Sequence, residues 1–483
     1  MRTNILPILL LASIVLTACG EGDPAASDSD AAADTGDAGD DVAVIDAGAD
    51  TLEDVGGSDA DGGPGDGGTD TADVADTLAD VADATDSGDV EPDVVVPVDP
   101  TLPEVTVCPR SETFDPSVCE VVPGANPGAL LIGQVLTPAG AFVDGEVLLD
   151  EDGLITCVGC DCASTAPSGI TSVVCPAAAI SPGLINGHDH ITYTQNNPGS
   201  WGEERFDHRH DWSDGLRGHT RIPVAGRASR EQVQWGELRQ LISGTTSMAG
   251  SGSAPGIVRN LDASEASLEG LPPIDIVSPT FPLDDGNGVF RTVDCSYPEL
   301  PTTDELDSDC WLAHVSEGID AEARNEFLCL SSPERGGIDM LADSAGIVHG
   351  ISLTALDARQ LASSGTGVVW SPRSNISLYG NTAPVLLYQA LGVDVGIGTD
   401  WTASGSMNLL RELRCAAEFS ENNLGGALSS WELWSMATIG NARLLGVDDT
   451  IGVLEPGRTA DIALFAISDV DDPWSAVTAA EPD

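Results

Sequence analysis

"PGLINGHDHITY", residues 182–193, sets two histidines one residue apart, His188 and His190, directly after an apolar run and a Pro-Gly. On an extended strand successive side chains point to opposite faces, so positions i and i+2 share one face. Both imidazoles can then reach a single point in space, as two ligands of one metal must. Taken alone, the stretch is equally compatible with a pair of exposed strand histidines. The remainder of the chain has to separate the two readings.

Beyond this stretch the pattern becomes strand, loop, helix, repeated. The strand-like runs are "AISPGLIN" (179–186), "GTTSMAGS" (244–251), "GIVRNLD" (256–262), "DIVSPTF" (275–281), "CWLAHVS" (310–316), "AGIVHGI" (345–351), "GVVWSPR" (367–373) and "DVGIGTD" (394–400). Between them, "SREQVQWGELRQLIS" (229–243) has apolar residues at helical spacing and Ser229 as its N-cap. Eight such strands over residues 183–450 match an α/β fold of the (β/α)8 TIM-barrel type. A doubly wound sheet is the competing arrangement. The third and fourth strands carry the weakest signal. On either side, "ALLIGQVLTPAGAFVDGEVLLDEDGLITCVG" (129–159) and "IGVLEPGRTADIALFAI" (451–467) alternate short β-rich runs with turns, which predicts a small antiparallel unit.

The first hundred residues are of another kind. Residues 1–18 have the form of a signal peptide: Arg2, then the apolar "ILPILLLASIVL", too short to span a membrane. They end in "LTAC", which resembles the lipobox of bacterial lipoproteins. That resemblance implies lipidation of Cys19, and Gly20 in place of Asp implies the outer membrane of a Gram-negative bacterium. Residues 19–103 are then a disordered, Asp/Ala/Gly-rich tether. No positive charge lies between Arg2 and Arg110, and such a segment buries too little apolar surface to offset its ordering entropy. The formal net charge of −59 argues against nucleic-acid partners. The run "DADGGPGDGG" lacks the order of a calcium loop.

All nineteen basic residues are arginine, so chemistry requiring a lysine is excluded. Apart from Cys19, ten cysteines remain, an even number that suits an oxidising compartment. Proximity in sequence suggests Cys108–Cys119 and Cys295–Cys310, with Cys329–Cys415 as a long-range pair. Cys157, Cys160, Cys162 and Cys175 suit two disulfides better than a zinc knuckle.

In a barrel of this kind catalytic groups lie at the C-terminal ends of strands. The ionisable residues there are His188 and His190 on the first, His314 and Glu317 on the fifth, His349 on the sixth and Asp400 on the eighth. Four imidazoles and a carboxylate suit one divalent ion, zinc or iron, with a position left open for water.

With these residues in view, the chain resembles the amidohydrolase superfamily, in the branch of cytosine and guanine deaminases, triazine hydrolases and imidazolonepropionase-like enzymes. The matching pieces are "PGLINGHDH", "GTTS", "HVSE", "GIVHG", "SPRSN", "GIGTDWTASGS", "WSMATIGNARLLG" and "IGVLEPGRTADIALF", in the family's order from about residue 129 to 467. The resemblance implies a barrel over 183–450 with a β-sandwich built from 104–182 and 451–483. It implies metal ligation by His188, His190, His314 and Asp400. Glu317 matches the proton-shuttling carboxylate, and His349 the histidine that contacts water or substrate. With no lysine to bridge two ions, one metal is expected.

A second H-x-H, His208 and His210 with His219 nearby in "ERFDHRHDWSDGLRGH", lies in a loop; it is a salt-bridged loop, a source of substrate contacts or, last, a second metal site. Arg373, Asn375 and Trp401 are further substrate-binding candidates. The expected activity is hydrolysis of a non-peptide C–N bond in a cyclic amide or nitrogen heterocycle, by ring opening or deamination, from a lipid anchor on the membrane. The alternatives are a binuclear dipeptidase-like hydrolase and a surface protein that keeps the barrel for binding alone.

Overall fold

A computed structural model describes residues 102–109, 119–467 and 471–480. The signal sequence, Cys19 and nearly all of the acidic tether lie outside the described residues. Eight parallel strands form the centre: β1 Leu184–Asn186, β2 Thr245–Met248, β3 Arg259–Asn260, β4 Ile276–Val277, β5 Cys310–Val315, β6 Ala345–His349, β7 Gly367–Trp370 and β8 Val395–Ile397. Each falls within one of the runs picked out above. β5 and β6 are buried along their whole length, as strands flanked on both faces must be.

The strands make two parallel ladders, β1–β2–β3 and β4–β5–β6–β7–β8. They are joined at β8 and β1, where the Gly187 amide donates to Ile397 O and the Asp400 amide to His188 O, both at 3.0 Å. Asp189 pairs with Asp400 as an isolated parallel bridge. Between β3 and β4 there is no ladder among the described residues. Both strands are two residues long, and Pro279, close behind β4, has no amide to donate. Their ends are linked through side chains, Ser278 Oγ donating to Asp262 at 3.1 Å.

The main helices are α1 Arg209–Asp214, α2 Arg230–Ile242, α3 Ala321–Leu330, α4 Ala355–Ser364, α5 Pro372–Tyr379, α6 Val385–Leu391 and α7 Leu409–Asn423. Ser229 caps α2 as its sequence predicts, in a reciprocal box with Gln232. The cap of α7 is Asn408, whose Oδ1 accepts from the Arg411 amide at 3.0 Å. Asp400 is therefore not consumed as a helix cap.

The β8–β1 seam is closed by Asn441. Its Nδ2 donates to Ile185 O (2.7 Å) and Ile397 O (2.8 Å), and its Oδ1 accepts from the Ile397 amide (3.2 Å). One buried amide thus supplies bonds that a ladder would otherwise make. Gly396 and Gly398 allow the close approach: a Cβ on Gly396 would lie 1.9 Å from Asn441 Oδ1, and one on Gly398 2.6 Å from the His188 nitrogen.

A seven-stranded sheet draws on both sides of this domain. Its strands are Glu104–Val107, Glu120–Val122, Asn126–Thr137, Gly140–Leu149, Ile155–Gly159, Ile170–Pro182 and, returning from the C-terminal side, Ile462–Ala466. It is mixed rather than antiparallel, because Asn126–Thr137 runs parallel to Ile170–Pro182, and Glu104–Val107 to Gly140–Leu149. Leu131, Val135, Val147, Ile155 and Ile180 form its core. No helix among the described residues is long and apolar enough to cross a membrane.

The disulfides correct the pairing expected from proximity. They join Cys108 to Cys160, Cys119 to Cys175, Cys157 to Cys162 and Cys295 to Cys329. Sheet register decides the second of these: Glu120 lies opposite Val174, which sets Cys119 beside Cys175. Cys310 opens β5 and is buried as a free thiol that donates to Leu444 O, so it cannot reach Cys295. Cys295 meets Cys329 of α3 instead, which rules out Cys329–Cys415. With its four cysteines all in disulfides, the 157–175 cluster is not a zinc knuckle.

Two substitutions at the seam test its weight. Asn441→Ala takes away the side-chain partners of the Ile185 carbonyl and the Ile397 amide and one of two donors to Ile397 O, and is expected to lower the unfolding free energy by about 2–4 kcal/mol. Gly396→Ala should cost about 1–3 kcal/mol through overpacking. Denaturant titration of each purified variant checks both values.

Candidate active site

The C-terminal ends of β1, β5, β6 and β8 bring four histidines and two carboxylates together. After Asn186 the chain leaves the β1 ladder but stays pinned, with the Asp189 amide donating to Ala249 O (2.8 Å) and the Ile191 amide to Gly250 O (2.9 Å). Alternation then works as the H-x-H spacing requires. His188 and His190 face the site, while Asp189 turns into the wall and accepts from Asn186, Gln240 and Thr399. Burial pushes the Asp189 carboxyl up to about 6.

Asp400 Oδ1 lies 3.4 Å from His188 Nε2 and 3.5 Å from His190 Nε2. The Nε2 atoms of His190 and His314 are 3.3 Å apart. His188 Nε2 is buried with no hydrogen-bond partner. Ligand atoms of His188, His190 and Asp400 all lie within 4.8 Å of one another, and so do those of the overlapping set His188, His314 and His349. Burial drives the His190 imidazole down to about 3 and His314 well below its ordinary value, with the neighbouring imidazoles adding to the effect. Burial alone would raise the Asp400 carboxyl, but His188, His349 and His190 hold it below the usual carboxylate range. Neutral imidazole nitrogens facing one another and an ionised carboxylate fit a divalent cation.

Glu317 borders this group. Its Oε1 accepts from Tyr379 Oη at 2.8 Å, and Tyr379 Oη in turn accepts from Trp212 Nε1 at 2.8 Å. Its Oε2 is 3.7 Å from His349 Nε2. His349 Nδ1 is 3.0 Å from Asn375 Oδ1, which assigns the ring proton to Nδ1 and leaves the Nε2 lone pair facing the site. Ser316, His349 and Asp400, at the ends of three strands, have φ of 57°, 75° and 55°. Left-handed backbone costs a non-glycine residue about 1–3 kcal/mol, and such strain persists where surrounding structure enforces it.

A model of the "Amidohydrolase family" matches residues 312–482. The 5-methylthioadenosine/S-adenosylhomocysteine deaminase of Halobacterium salinarum is 27% identical over 69% of this chain and 82% of its own length. A deaminase of the same name from Desulforudis audaxviator is 41% identical, over 25% of this chain and 29% of its own. The 8-oxoguanine deaminase of Pseudomonas aeruginosa is 35% identical, over 34% and 38%. Among solved structures, an adenosine deaminase from Xanthomonas campestris with bound zinc superposes at a TM-score of 0.53, with 20% identity over 74% of this chain and 91% of that one. By that family match, residues 312–482 fall within the amidohydrolase family.

His188, His190, His314, His349, Glu317 and Asp400 share one site. The remaining candidates make the following contacts. Asn375 holds the His349 ring. Trp401 Nε1 donates to Ser404, which bonds Ser374, which in turn donates to Asp400 Oδ2 at 2.5 Å. Trp401 therefore supports the carboxylate from behind, its ring against Trp212. Arg373 Nε donates to Ser406 Oγ (2.7 Å) and one of its amino groups to Arg411 O.

His208 and His210 are buried and do not contact the metal-site group. His208 Nδ1 accepts from the His210 amide, and His208 Nε2 is 3.3 Å from Glu326. His210 Nε2 is 3.1 Å from Asp285. Although His208, His210 and Glu326 have metal-like spacing, the Arg209 guanidinium lies 3.0 Å from Glu326 and 2.8 Å from Asp285. That charge repels a second cation.

The sequence reading missed Tyr379, Ser374, Arg209, Asp285 and Glu326. Tyr379 and Ser374 lie within or just beyond the motif "SPRSN", and a search of that stretch for hydroxyls would have found them. Asp285 and Glu326 carry no local signal.

The two hydroxyl supports should separate by assay. Ser374→Ala is expected to weaken metal affinity about 10- to 100-fold, as loss of a group bonded to a ligand does. Tyr379→Phe should leave it unchanged. Competition against a chromogenic chelator measures both.

Proposed function

We propose that the protein is a mononuclear metal-dependent hydrolase that deaminates a nitrogen heterocycle, built on a closed (β/α)8 barrel. One observation carries this: the imidazole nitrogens of His188, His190 and His314 converge beside an ionised Asp400, with the Glu317 carboxylate at the edge of the group. His188, His190, His314 and Asp400 would hold the ion, zinc before iron. The bound ion supplies Lewis acidity and a water that ionises near neutrality.

Glu317 is the proton carrier. Tyr379 occupies Oε1, so Oε2 takes a proton from the attacking water and returns it to the departing amine. That leaving nitrogen must be protonated, since an amide anion is too basic to depart. His349, with its proton held on Nδ1 by Asn375, presents Nε2 as an acceptor that orients water or substrate. The names of the relatives, deaminases of methylthioadenosine and of 8-oxoguanine, favour deamination over ring opening.

We also read the protein as exported and anchored through a lipid on Cys19. The four disulfides in the described domain support an oxidising compartment. Metabolic labelling with a radiolabelled fatty acid should mark the parent and not Cys19→Ser. Label on the variant would remove the anchor from this account.

Ammonia release from 5-methylthioadenosine, S-adenosylhomocysteine, guanine and 8-oxoguanine tests the activity. Turnover of at least one aminated heterocycle, abolished by a chelator, is expected. Glu317→Gln should lower kcat about 10²- to 10⁴-fold with metal content unchanged. Full activity in that variant would overturn the role of Glu317.

A further inference from the structure

The segment 207–210 lies against the end of β5, and Arg209 is its centre. This residue is 1% exposed. One amino group donates to Thr280 O (2.9 Å), behind β4, and reaches His314 O (3.5 Å) on β5. The other donates to both oxygens of Asp285 (3.1 and 2.8 Å) and lies 3.0 Å from Glu326 Oε1. The same residue's amide donates to Glu317 O at 3.1 Å.

Glu317 is gripped on both sides as well. Glu326 Oε2 accepts from the Ser316 amide at 3.0 Å, and Ser316 Oγ donates to Ala323 O at 2.9 Å. Gly318 pairs with His208 in an isolated antiparallel bridge, and the Ile319 amide donates to Asp207 O at 2.8 Å. The left-handed Ser316 is therefore enforced by groups that converge on one buried charge.

We propose that Arg209, seated between Asp285 and Glu326, is the positioning residue that fixes Glu317 over the metal-site histidines. This rests on the reading of Glu317 as the proton carrier. The second H-x-H motif is then explained by the arginine between its histidines. His208 caps the helix that carries Arg209, and His208 and His210 each face one of its carboxylate partners. The device is a charge clamp on backbone, acting on the carboxylate through residues 316–318.

The test uses the full chain loaded with zinc, and a cobalt(II)-loaded counterpart. Arg209→Met is the main variant. Glu326→Gln, which retains an acceptor for the Ser316 amide, serves if the first does not fold. Hydrogen exchange of a peptide covering residues 314–319 should quicken about tenfold or more in Arg209→Met, with peptides from β6 and β7 unchanged. Uniform acceleration throughout would mean general destabilisation and would overturn the proposal.

The visible absorption of the cobalt protein, followed against pH, supplies the second readout. Glu317→Gln should move its midpoint, and Arg209→Met should move it in the same direction. Adding Arg209→Met to Glu317→Gln should produce no further movement, as expected of groups acting through one another. If Glu317→Gln moves the midpoint and Arg209→Met does not, the positioning role is wrong while the proton carrier stands. If Glu317→Gln leaves it unmoved, the proton-carrier reading falls and takes this assignment with it.

Discussion

The β8–β1 seam is the constraint on which the site depends. His188 and His190 follow the first strand and Asp400 follows the last, so these three side chains come together only where those two strands meet. Asn441 holds them by bonding Ile185 O and both the amide and carbonyl of Ile397. The glycines of "GIGTD" admit this approach, and the backbone bond from Asp400 to His188 O finishes the register. Packing the seam and assembling the metal site are one physical event.

Close approach of like groups is paid for in backbone strain at Ser316, His349 and Asp400, each in left-handed conformation beside the site. The surroundings enforce these geometries through distinct supports: a serine chain behind Asp400, Asn375 behind His349, and the Arg209 cluster behind Ser316 and Glu317. Burial meanwhile keeps His190 and His314 neutral while nearby imidazoles keep Asp400 ionised. Neutral donors around one anion attract a cation, whereas the Arg209 cluster, with similar residue types, has its own cation built in. The position of a single arginine separates two groupings that spacing alone would make alike.

Local sequence was enough for the eight strands, the Ser229 cap and the six residues that meet at the site. Each depends on interactions within a few residues: alternation puts His188 and His190 on one face, and β-rich runs bounded by Gly and Pro mark strands. Strand order then follows chain order, so the ends of successive strands share one side of the domain.

Tertiary structure decided what depends on partners far away in the chain. Disulfide pairing followed sheet register and the burial of Cys310 rather than proximity. Arg373, His208 and His210 look like pocket residues by composition, and only the fold brings Ser406, Glu326 and Asp285 from other segments to their hydrogen-bonding groups. Tyr379 and Arg209 acquire their meaning from Glu317 in the same way. A side chain's identity sets what it can bond; only the fold determines which partner reaches it first.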